Sequence, residues 1–406
     1  MLPRGALDAK GKAPLRRAGV EIMTNFALCN CRFRATGDPP AERPGRPNAS
    51  GATLPRRRLS RWNCVAAQRL FIDSVVGTRR QQHGRGAAEP RSLPPGRCMA
   101  TSNPGAFADP TTAVAFELQY ELVKGDQVDA LGSRLAGTAV LLHGILGSRR
   151  NLVSFAKRLA AANPGWQFLL VDLRNHGGSA SVPAPEPHTL RTAAEDVLRL
   201  LQSLKLFPHC LIGHSFGGKV AMEMVFVFGR RLPRPVQVWV LDTVPGDVYA
   251  DGGDHPRDVI NFVRRLQMPL ASRKQLVDIL TGQGFTLAGA TWMTTNLQTN
   301  PDDGTLDWAF NITGIADMYA SYEATDLWPL VESPPQGALI DFVRAERSAF
   351  RWQEADVERI TAAGARVHLL QDSGHWVHID NPTGLTDILT PSLTSILHNH
   401  QRSSTR

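Results

Sequence analysis

The sequence predicts an α/β fold in which a mostly parallel central sheet is flanked by helices. Short apolar runs recur along the chain, for example QFLLVDLR (residues 167–174) and VQVWVLD (residues 236–242), and such runs are typical of strands buried on both faces. Segments with the apolar spacing of a helix lie between these runs. Strands that alternate with helices form parallel sheets, because each helix returns the chain to the same end of the sheet.

The predicted elements follow one another in a regular order from about residue 114. The alternating segment AVAFELQYELV and the apolar run TAVLLHG predict the first two strands. The helix SFAKRLAAA, the strand QFLLVDLR, the helix LRTAAEDVLRLLQSL and the strand CLIGHS come next. We then expect the helix GGKVAMEMVFVF, the strand VQVWVLD and, much later, the strands GALIDFV and ARVHLLQ with the helix EADVERITAAG between them.

Residues 246–329 interrupt this alternation. They contain segments with helical spacing but no clear buried strand, which predicts a helical cap inserted into a core formed by residues 114–245 and 330–400. The large apolar side chains of this interval have two interpretations, the lining of a pocket or the core of the cap itself. They are Trp292, Met293, Trp308, Phe310, Met318, Tyr319 and Tyr322.

Residues 1–100 differ in composition from the rest of the chain. They contain 19 Lys and Arg against 6 Asp and Glu, a net charge of +13, whereas the other residues sum to −5. The segment is rich in Arg, Pro and Gly and has no sustained apolar period, so we expect it to be disordered. An Arg-rich, acid-poor N-terminus is typical of an organellar transit peptide. A nucleic-acid-binding arm and a simple solvated tail are the alternatives, and Met99 is an alternative start.

Several classes of protein do not fit the composition. No stretch reaches the ~18 apolar residues that a spanning helix needs, so we expect no transmembrane segment. The cysteines are odd in number and form no C-x-x-C pair, which argues against a disulfide framework and against a zinc site. They are Cys29, Cys31, Cys64, Cys98 and Cys210. We expect neither a metal nor a cofactor.

The segment GHSFGGKV (residues 213–220) matches two motifs that both occur where a strand turns into a helix. One is the phosphate-binding loop G-x-x-x-x-G-K-[ST], but Val220 stands where the motif needs a hydroxyl to bind Mg²⁺. The other is the nucleophile elbow G-x-S-x-G, in which a sharp turn exposes the serine. We therefore interpret Ser215 as a nucleophile.

Further features of the sequence fit a nucleophilic serine. The loop after LLHG would direct the backbone N–H of Ile145, beside that of Phe216, at a developing oxyanion. His375 follows the last predicted strand, and Asp242 follows the strand after the nucleophile. The chain order serine, acid, histidine is the order expected of this type of site on a parallel sheet.

The chemistry requires all three side chains. A serine hydroxyl is a poor nucleophile until a neutral imidazole takes its proton, and the resulting imidazolium needs a carboxylate to orient and stabilise it. Ser215 would attack a carbonyl, His375 would transfer the proton, and Asp242 would hold His375.

With these residues assembled, the chain from about residue 114 to 398 resembles the serine-hydrolase branch of the α/β-hydrolase superfamily. HGILGSRRNL, VDLRNHGGS, GHSFGGKVAM and GHWVHIDNP are similar to motifs of an esterase group that includes the abhydrolase-domain-containing protein eleven type and small bacterial esterases. WAFNITGIADMYASYEATDLW and DFVRAERSAFRW look most like plant members. The resemblance implies an α/β-hydrolase fold with a helical cap inserted after the sixth strand, and an ester or thioester hydrolase with a capped acyl pocket.

The resemblance also bears on the residues around the triad. Many α/β hydrolases place the acid after the strand that here ends in DFVRAERS, so Glu346 is the alternative acid. In the resembled branch the acid follows the strand after the nucleophile, which favours Asp242. Ser348 aligns with a serine that supports the triad in bacterial relatives, and a loop-capping hydroxyl is its alternative role. The resemblance makes VDLRNHGGS a structural loop rather than a catalytic or metal cluster.

The leading functional prediction is a serine hydrolase that cleaves the ester or thioester of a small or lipid acyl substrate. An acyltransferase or thioesterase would use the same triad, and a non-catalytic ligand-binding member of the fold is a third alternative. The expected partner is a small-molecule acyl ester and not a nucleic acid. The oligomeric state is not predicted. The plant-like segments favour the chloroplast as the location, with the mitochondrion and the cytoplasm as alternatives.

Overall fold

The computed structural model describes residues 116–132, 135–233, 235–247, 254–348 and 352–404. The predicted disorder and transit role of residues 1–100 lie outside the described residues, and so does the start of the first predicted strand.

Strands and helices alternate along the described chain much as the apolar periodicity predicts. In chain order they are β1 (Tyr120–Lys124), α1 (Val128–Leu131), β2 (Gly137–Leu142), α2 (Val153–Ala162), β3 (Trp166–Val171), α3 (Leu190–Ser203), β4 (Cys210–His214), α4 (Phe216–Phe228), β5 (Val236–Leu241), α5 (Pro256–Val263), α6 (Arg273–Gly282), α7 (Leu287–Met293), β6 (Leu297–Thr299), β7 (Leu306–Trp308), α8 (Ile312–Ala324), α9 (Trp328–Glu332), β8 (Ala338–Ala345), α10 (Glu354–Ala362), β9 (Arg366–Leu370), α11 (Val377–Asp380) and α12 (Pro382–Ser404).

Seven strands form the central sheet in the order β1-β3-β2-β4-β5-β8-β9. β1 pairs with β3 in the antiparallel direction, and the other five pairings are parallel. Every residue of β2, β3, β4 and β5 is buried, which explains why these strands read as continuous apolar runs. The carboxyl ends of these four strands therefore meet at one edge of the sheet.

Helices cover both faces of the sheet. Alternate side chains of one strand point to opposite faces, so Val140 of β2 joins a core with α3 and α4, while Leu141 joins a core with α2 and α12. In α3 the side chains of Ala194, Val197 and Leu201 form the buried stripe that the sequence predicts. Within the described residues, no helix is both long and apolar enough to cross a membrane.

The interval after β5 contains helices where the sequence predicts three of them. The helices α5, α6 and α8 overlap the segments HPRDVINFVRRLQ, SRKQLVDILTG and GIADMYASYEA, whose spacing predicts helices. The helix α7 was not predicted, and neither was a short antiparallel ladder that joins β6 to β7. A strand of three residues is too short to produce a recognisable alternation of apolar and polar residues in the sequence. The insertion follows β5, the fifth strand of the described residues, and not the sixth strand.

A buried lysine ties the ends of this insertion to the core. Lys219 on α4 donates hydrogen bonds from Nζ to the backbone oxygens of Gly246 (2.7 Å), Tyr322 (3.0 Å) and Thr325 (3.0 Å). Gly246 begins the insertion, and Tyr322 and Thr325 lie at the end of α8. Burial lowers the pKa of Lys219 to about 8, so the ammonium group is charged at pH 7. The lysine that a phosphate-binding loop would use thus holds protein carbonyls instead.

Candidate active site

Ser215 lies on a strained turn between β4 and α4. Its backbone has φ of 50° and ψ of −115°, which a residue with a side chain adopts only where the surrounding structure forces it. A Cβ atom on Gly213 would lie 2.1 Å from the Gly217 oxygen, and one on Gly217 would lie 2.4 Å from the Leu142 oxygen. The two glycines are therefore required for the strand and helix to approach closely enough to form this turn.

Asp242 follows β5 directly and is completely buried. Its Oδ2 accepts hydrogen bonds from His375 Nδ1 at 2.8 Å and from Ser348 Oγ at 2.6 Å. Its Oδ1 accepts from the Ala345 N–H and from the Trp352 indole N–H, both at 3.0 Å. Because a carboxylate can only accept, the Asp242 contact fixes the proton of His375 on Nδ1, so that Nε2 carries no proton and can act as a base.

Glu346 contacts groups outside the triad. Its Oε2 accepts from the backbone N–H of Asp372 at 2.9 Å and lies 3.5 Å from Arg347, and its side chain is 43% exposed. The carboxylate that contacts the imidazole is therefore that of Asp242. Glu346 instead connects the loop after β8 to the loop after β9.

The loop between β2 and α2 lies against the serine. A Cβ atom on Gly144 would lie 3.6 Å from the Ser215 Cβ, so the backbone around Ile145 passes beside the nucleophile. Phe216 is the first residue of α4, where an N–H has no carbonyl one turn earlier in the helix. These are the two N–H groups that the sequence predicts for an oxyanion hole, and the helix N-terminus adds a partial positive charge there.

Two buried histidines hold this loop. His143 donates from Nδ1 to the Gly144 oxygen at 2.8 Å and accepts at Nε2 from the Leu173 N–H at 3.0 Å. His176 accepts at Nε2 from the Leu146 N–H at 3.1 Å. Burial lowers the pKa of His143 and lowers the pKa of His176 to about 3, so both rings are neutral at pH 7.

The segment VDLRNHGGS contributes structural contacts of the kind that the resemblance implies. The Asp172 carboxylate accepts from the backbone N–H of Arg149 at 2.6 Å and from that of Gly178 at 2.8 Å. Asn175 contacts the insertion, because Asn311 donates its backbone N–H to the Asn175 oxygen at 2.9 Å. Within the described residues, no group of three His, Cys, Asp or Glu side chains is arranged to hold a metal ion.

A cavity of about 700 Å³ opens between the carboxyl edge of the sheet and the insertion. Ser215, His375 and Ile145 line its core side. Mainly apolar residues of the insertion line the other side, namely Pro256, Val259, Leu280, Phe285, Ala288, Ala290, Trp292 and Met293, together with the polar Asp254, His255 and Thr286. Of the seven large apolar side chains named from the sequence, Trp292 and Met293 line this cavity. The other five are buried in the core cluster, with Trp308 stacked on Phe310 and Tyr319 on Tyr322.

Sequence reasoning did not predict the contacts of three side chains at the site. His214 donates from Nε2 to the backbone oxygen of His375 at 2.8 Å, which holds the imidazole-bearing loop against the elbow. Trp352 donates to Asp242, and the Tyr322 hydroxyl contacts Thr243 at 2.7 Å. His214 carried a sequence signal in its place beside Ser215, and Tyr322 in its place among the large apolar side chains of residues 246–329. Trp352 lies 110 residues from Asp242, and Tyr322 lies 79 residues from Thr243.

A mostly parallel seven-stranded sheet with a serine at a strand-to-helix turn and an Asp–His pair at the same edge defines an α/β hydrolase. Residues 139–388 match the model of the alpha/beta hydrolase family, and the chain belongs to that family.

Known proteins agree with this assignment. Over 319 residues the chain is 27% identical to the sn-1-specific diacylglycerol lipase ABHD11 of Mus musculus, covering 76% of this chain and 95% of that protein. Over 244 residues it is 27% identical to the esterase YbfF of Escherichia coli, a match that covers 60% of this chain and 87% of that protein. A solved marine microorganism esterase superposes with a TM-score of 0.54 at 22% identity, covering 70% of this chain and all of that one, a likeness that shows the fold alone.

Proposed function

We propose that this protein is a carboxylic ester hydrolase that cleaves the ester or thioester of a small or lipid acyl substrate with Ser215, His375 and Asp242. The observation on which the proposal rests is the 2.8 Å contact between His375 Nδ1 and the fully buried Asp242, in a site where the imidazole shares one cavity with Ser215. The names of the relatives, a diacylglycerol lipase and an esterase, support the same reaction class.

The acylation step follows from this arrangement. Ser215 Oγ attacks the acyl carbonyl carbon while its proton moves to His375 Nε2, and the π electrons of the carbonyl move to its oxygen. The N–H groups of Ile145 and Phe216 stabilise that oxyanion. The intermediate then expels the alcohol or thiol, which takes the proton from His375. A water molecule repeats the sequence on the acyl-enzyme and releases the acid.

The Asp242 contact supplies the electrostatic part of this step. An imidazolium at position 375 lies beside a carboxylate that is removed from water, where the attraction between opposite charges is stronger than in solvent. The other donors to Asp242 satisfy its remaining lone pairs, so the buried charge is not left unpaired.

The walls of the cavity support an acyl substrate. Val259, Leu280 and Met293 present apolar surface opposite the serine, and a cavity of about 700 Å³ is within the range of small-molecule sites. Substrate binding would be driven by burial of the acyl chain, at roughly 0.8 kcal/mol for each methylene.

A fluorophosphonate, which phosphorylates activated serines, tests the proposal. We expect one adduct by intact mass on the wild type, none on Ser215→Ala, and an unchanged adduct on the control Ser181→Ala, which replaces an exposed serine. The wild type should also turn over nitrophenyl and thioester acyl substrates repeatedly.

The competing functions give different results in the same experiments. Transfer of the acyl group to an added alcohol in preference to water would identify an acyltransferase. A folded wild type that forms no adduct and shows no turnover would contradict the proposal and favour a ligand-binding role.

We also propose that residues 1–100 direct import into the chloroplast. The support is their excess of Arg over acidic residues together with the plant-like motifs of the core. A fluorescent protein fused behind residues 1–100 should enter chloroplasts of plant cells, and a uniformly cytoplasmic signal would contradict the proposal.

A further inference from the structure

Two tryptophan side chains meet across the cavity that contains Ser215. Trp292 comes from α7 of the insertion, and Trp376 directly follows His375 in the core. Their ring centroids are 5.8 Å apart with an angle of 34° between the ring planes, and both residues line the cavity and are half-buried. The pair therefore forms an aromatic wall to which the insertion and the core each contribute one ring.

The backbone that carries Trp376 is fixed at three consecutive residues. The Gly374 N–H donates to Asp380 Oδ2 at 2.9 Å. The His375 oxygen accepts from His214 Nε2 at 2.8 Å. The Trp376 oxygen accepts from the Asp380 N–H at 2.9 Å. The Trp376 indole therefore leaves the backbone from a defined place, one residue beyond the imidazole.

The position of the aromatic wall beside His375 determines which half of an ester it meets. In the proposed mechanism His375 protonates the leaving oxygen, so that oxygen must lie within hydrogen-bond reach of Nε2. The carbon atoms of the alcohol begin at that oxygen, and Trp376, with Trp292 packed on it, is the next residue that lines the cavity. The aromatic wall thus meets the alcohol part of the substrate and not the far end of the acyl chain.

We propose that Trp292 and Trp376 determine the specificity of the enzyme for the alcohol part of its substrate, and that this part carries a flat apolar group. A flat ring gains contact over its whole face against an indole, and aromatic rings prefer the offset or tilted arrangements that such a wall allows. A methyl group gains little there, because it buries little apolar area. The cavity of about 700 Å³ leaves room for a ring together with an acyl chain. This inference rests on the proposed hydrolase function.

The moment at which the alcohol leaves separates alcohol binding from other roles. The bond between the acyl carbon and the alcohol oxygen breaks when the acyl-enzyme forms, its electron pair goes to that oxygen, and the proton from His375 completes the alcohol. Esters with one acyl group and different alcohols therefore give the same acyl-enzyme. A residue that binds the alcohol changes kcat/KM, which includes acylation, but does not change the rate at which water hydrolyses that acyl-enzyme.

The test measures acid release from benzyl butyrate and methyl butyrate, which share an acyl group. In Trp292→Leu we expect kcat/KM to fall on the order of tenfold for benzyl butyrate and to stay within about twofold for methyl butyrate. Leucine retains an apolar side chain with a high helix propensity, so α7 is preserved. The rate at which the butyryl-enzyme is hydrolysed, obtained from burst kinetics with nitrophenyl butyrate, should equal that of the wild type. The control is Leu287→Ala on the same helix, where the native residue is 66% exposed, and it should match the wild type on both esters.

Trp376→Leu provides a second variant, in which we expect the same selective loss on benzyl butyrate. An equal loss on both esters in both variants, or slower hydrolysis of the butyryl-enzyme, would mean that the tryptophans position His375 and would overturn their role in alcohol binding. Unchanged kinetics in both variants, or a wild type that prefers methyl butyrate, would overturn that role as well. A wild type with neither fluorophosphonate labelling nor turnover of any ester would overturn the hydrolase function and this inference with it.

Discussion

Trp352 donates its indole N–H to Oδ1 of Asp242 at 3.0 Å, although 110 residues separate the two in the chain. The carboxylate accepts three further hydrogen bonds, and the only titratable donor among the four is His375. Asp242 also has a positive φ of 51°, which is a strained backbone conformation for a residue with a side chain. The turn after β5 adopts this conformation where the Asp242 side chain meets His375. The Asp242 carboxylate is therefore held by hydrogen-bond donors from the end of β8 and from the segment that follows β8.

Asp242→Asn should reduce activity far more than Glu346→Gln. The amide cannot hold His375 in the tautomer that carries its proton on Nδ1 and none on Nε2, and the loss of kcat expected for such a change is on the order of 10³ to 10⁴. Glu346 contacts a backbone N–H and Arg347 at the surface, so Glu346→Gln should leave kcat within about twofold. Steady-state kinetics on one nitrophenyl ester distinguish the two, and a larger loss in Glu346→Gln would show that the acid is misassigned.

Trp352→Phe should lower kcat by roughly tenfold. The variant removes one of the four donors to a buried carboxylate. The loss of one partner of such a buried charge costs about 1–3 kcal/mol. Trp239→Phe is the matched control, because Trp239 also donates its indole N–H in the core, to Ser392 at 3.1 Å, but does not contact Asp242. Both variants should lose stability in urea unfolding. If Trp239→Phe lost as much kcat as Trp352→Phe, the effect would be one of folding and not of the site.

The alternation of strands and helices in a mostly parallel sheet could be predicted from the sequence, because buried parallel strands show as apolar runs. Ser215 and Asp242 could be placed because each directly follows such a run, and His375 because it lies on the loop after the last strand. The contacts from Trp352 and Tyr322 were not accessible, since they come from loops and an insertion whose packing no local period encodes. The β6–β7 ladder was missed for the same reason. Aromatic residues at helical spacing left a choice between cavity and core that only three-dimensional packing resolves.

The free energy of unfolding should fall as the pH is lowered from 7 to 5, in part because of His176. Burial lowers its pKa to about 3 in the folded protein, against about 6.5 in the unfolded chain. Between these values the unfolded chain binds more protons, so the stability contributed by the neutral ring is complete above pH 6.5 and is lost below it. This histidine alone should account for about 2 kcal/mol between pH 7 and pH 5.

His176→Gln tests the source of that loss. Glutamine keeps an acceptor for the Leu146 N–H but does not titrate. The difference between urea unfolding free energies at pH 7 and pH 5 should shrink by about 2 kcal/mol in the variant. An unchanged difference would mean that other groups, such as the buried His378, whose pKa is also lowered to about 3, determine the acid sensitivity.

Gly217→Ala should destabilise the protein and abolish activity together. The new Cβ would lie 2.4 Å from the Leu142 oxygen and 2.7 Å from the His143 oxygen, and backbone atoms of a buried strand have no room to move. The control is Gly282→Ala at the end of α6, where a Cβ meets nothing within 4 Å and alanine favours the helix. We expect Gly282→Ala to be neutral or slightly stabilising in thermal unfolding. A Gly217→Ala variant with wild-type melting temperature and activity would contradict the close approach of strand and helix at the elbow.

Lys219→Met should loosen the insertion. The variant leaves the carbonyls of Gly246, Tyr322 and Thr325 without their shared donor in a buried place, and unsatisfied buried acceptors cost about 1–3 kcal/mol each. Methionine fills most of the volume of the lysine stem, so the loss should come from these hydrogen bonds and not from a cavity. Lys157→Met, on the exposed side of α2, is the control for removal of a charge.

Limited digestion with chymotrypsin provides the more specific readout for Lys219→Met, because the insertion is rich in aromatic residues. Cleavage within residues 254–324 should accelerate in Lys219→Met but not in Lys157→Met. Tyr322 is a partner of Lys219, and its ring packs on Phe216 beside the nucleophile with the ring centroids 5.5 Å apart, so kcat should fall along with the protection from cleavage. Faster cleavage with an unchanged kcat would show that the insertion opens without moving Tyr322. The attachment of the insertion to the core would then be separate from the contribution of the insertion to the active site.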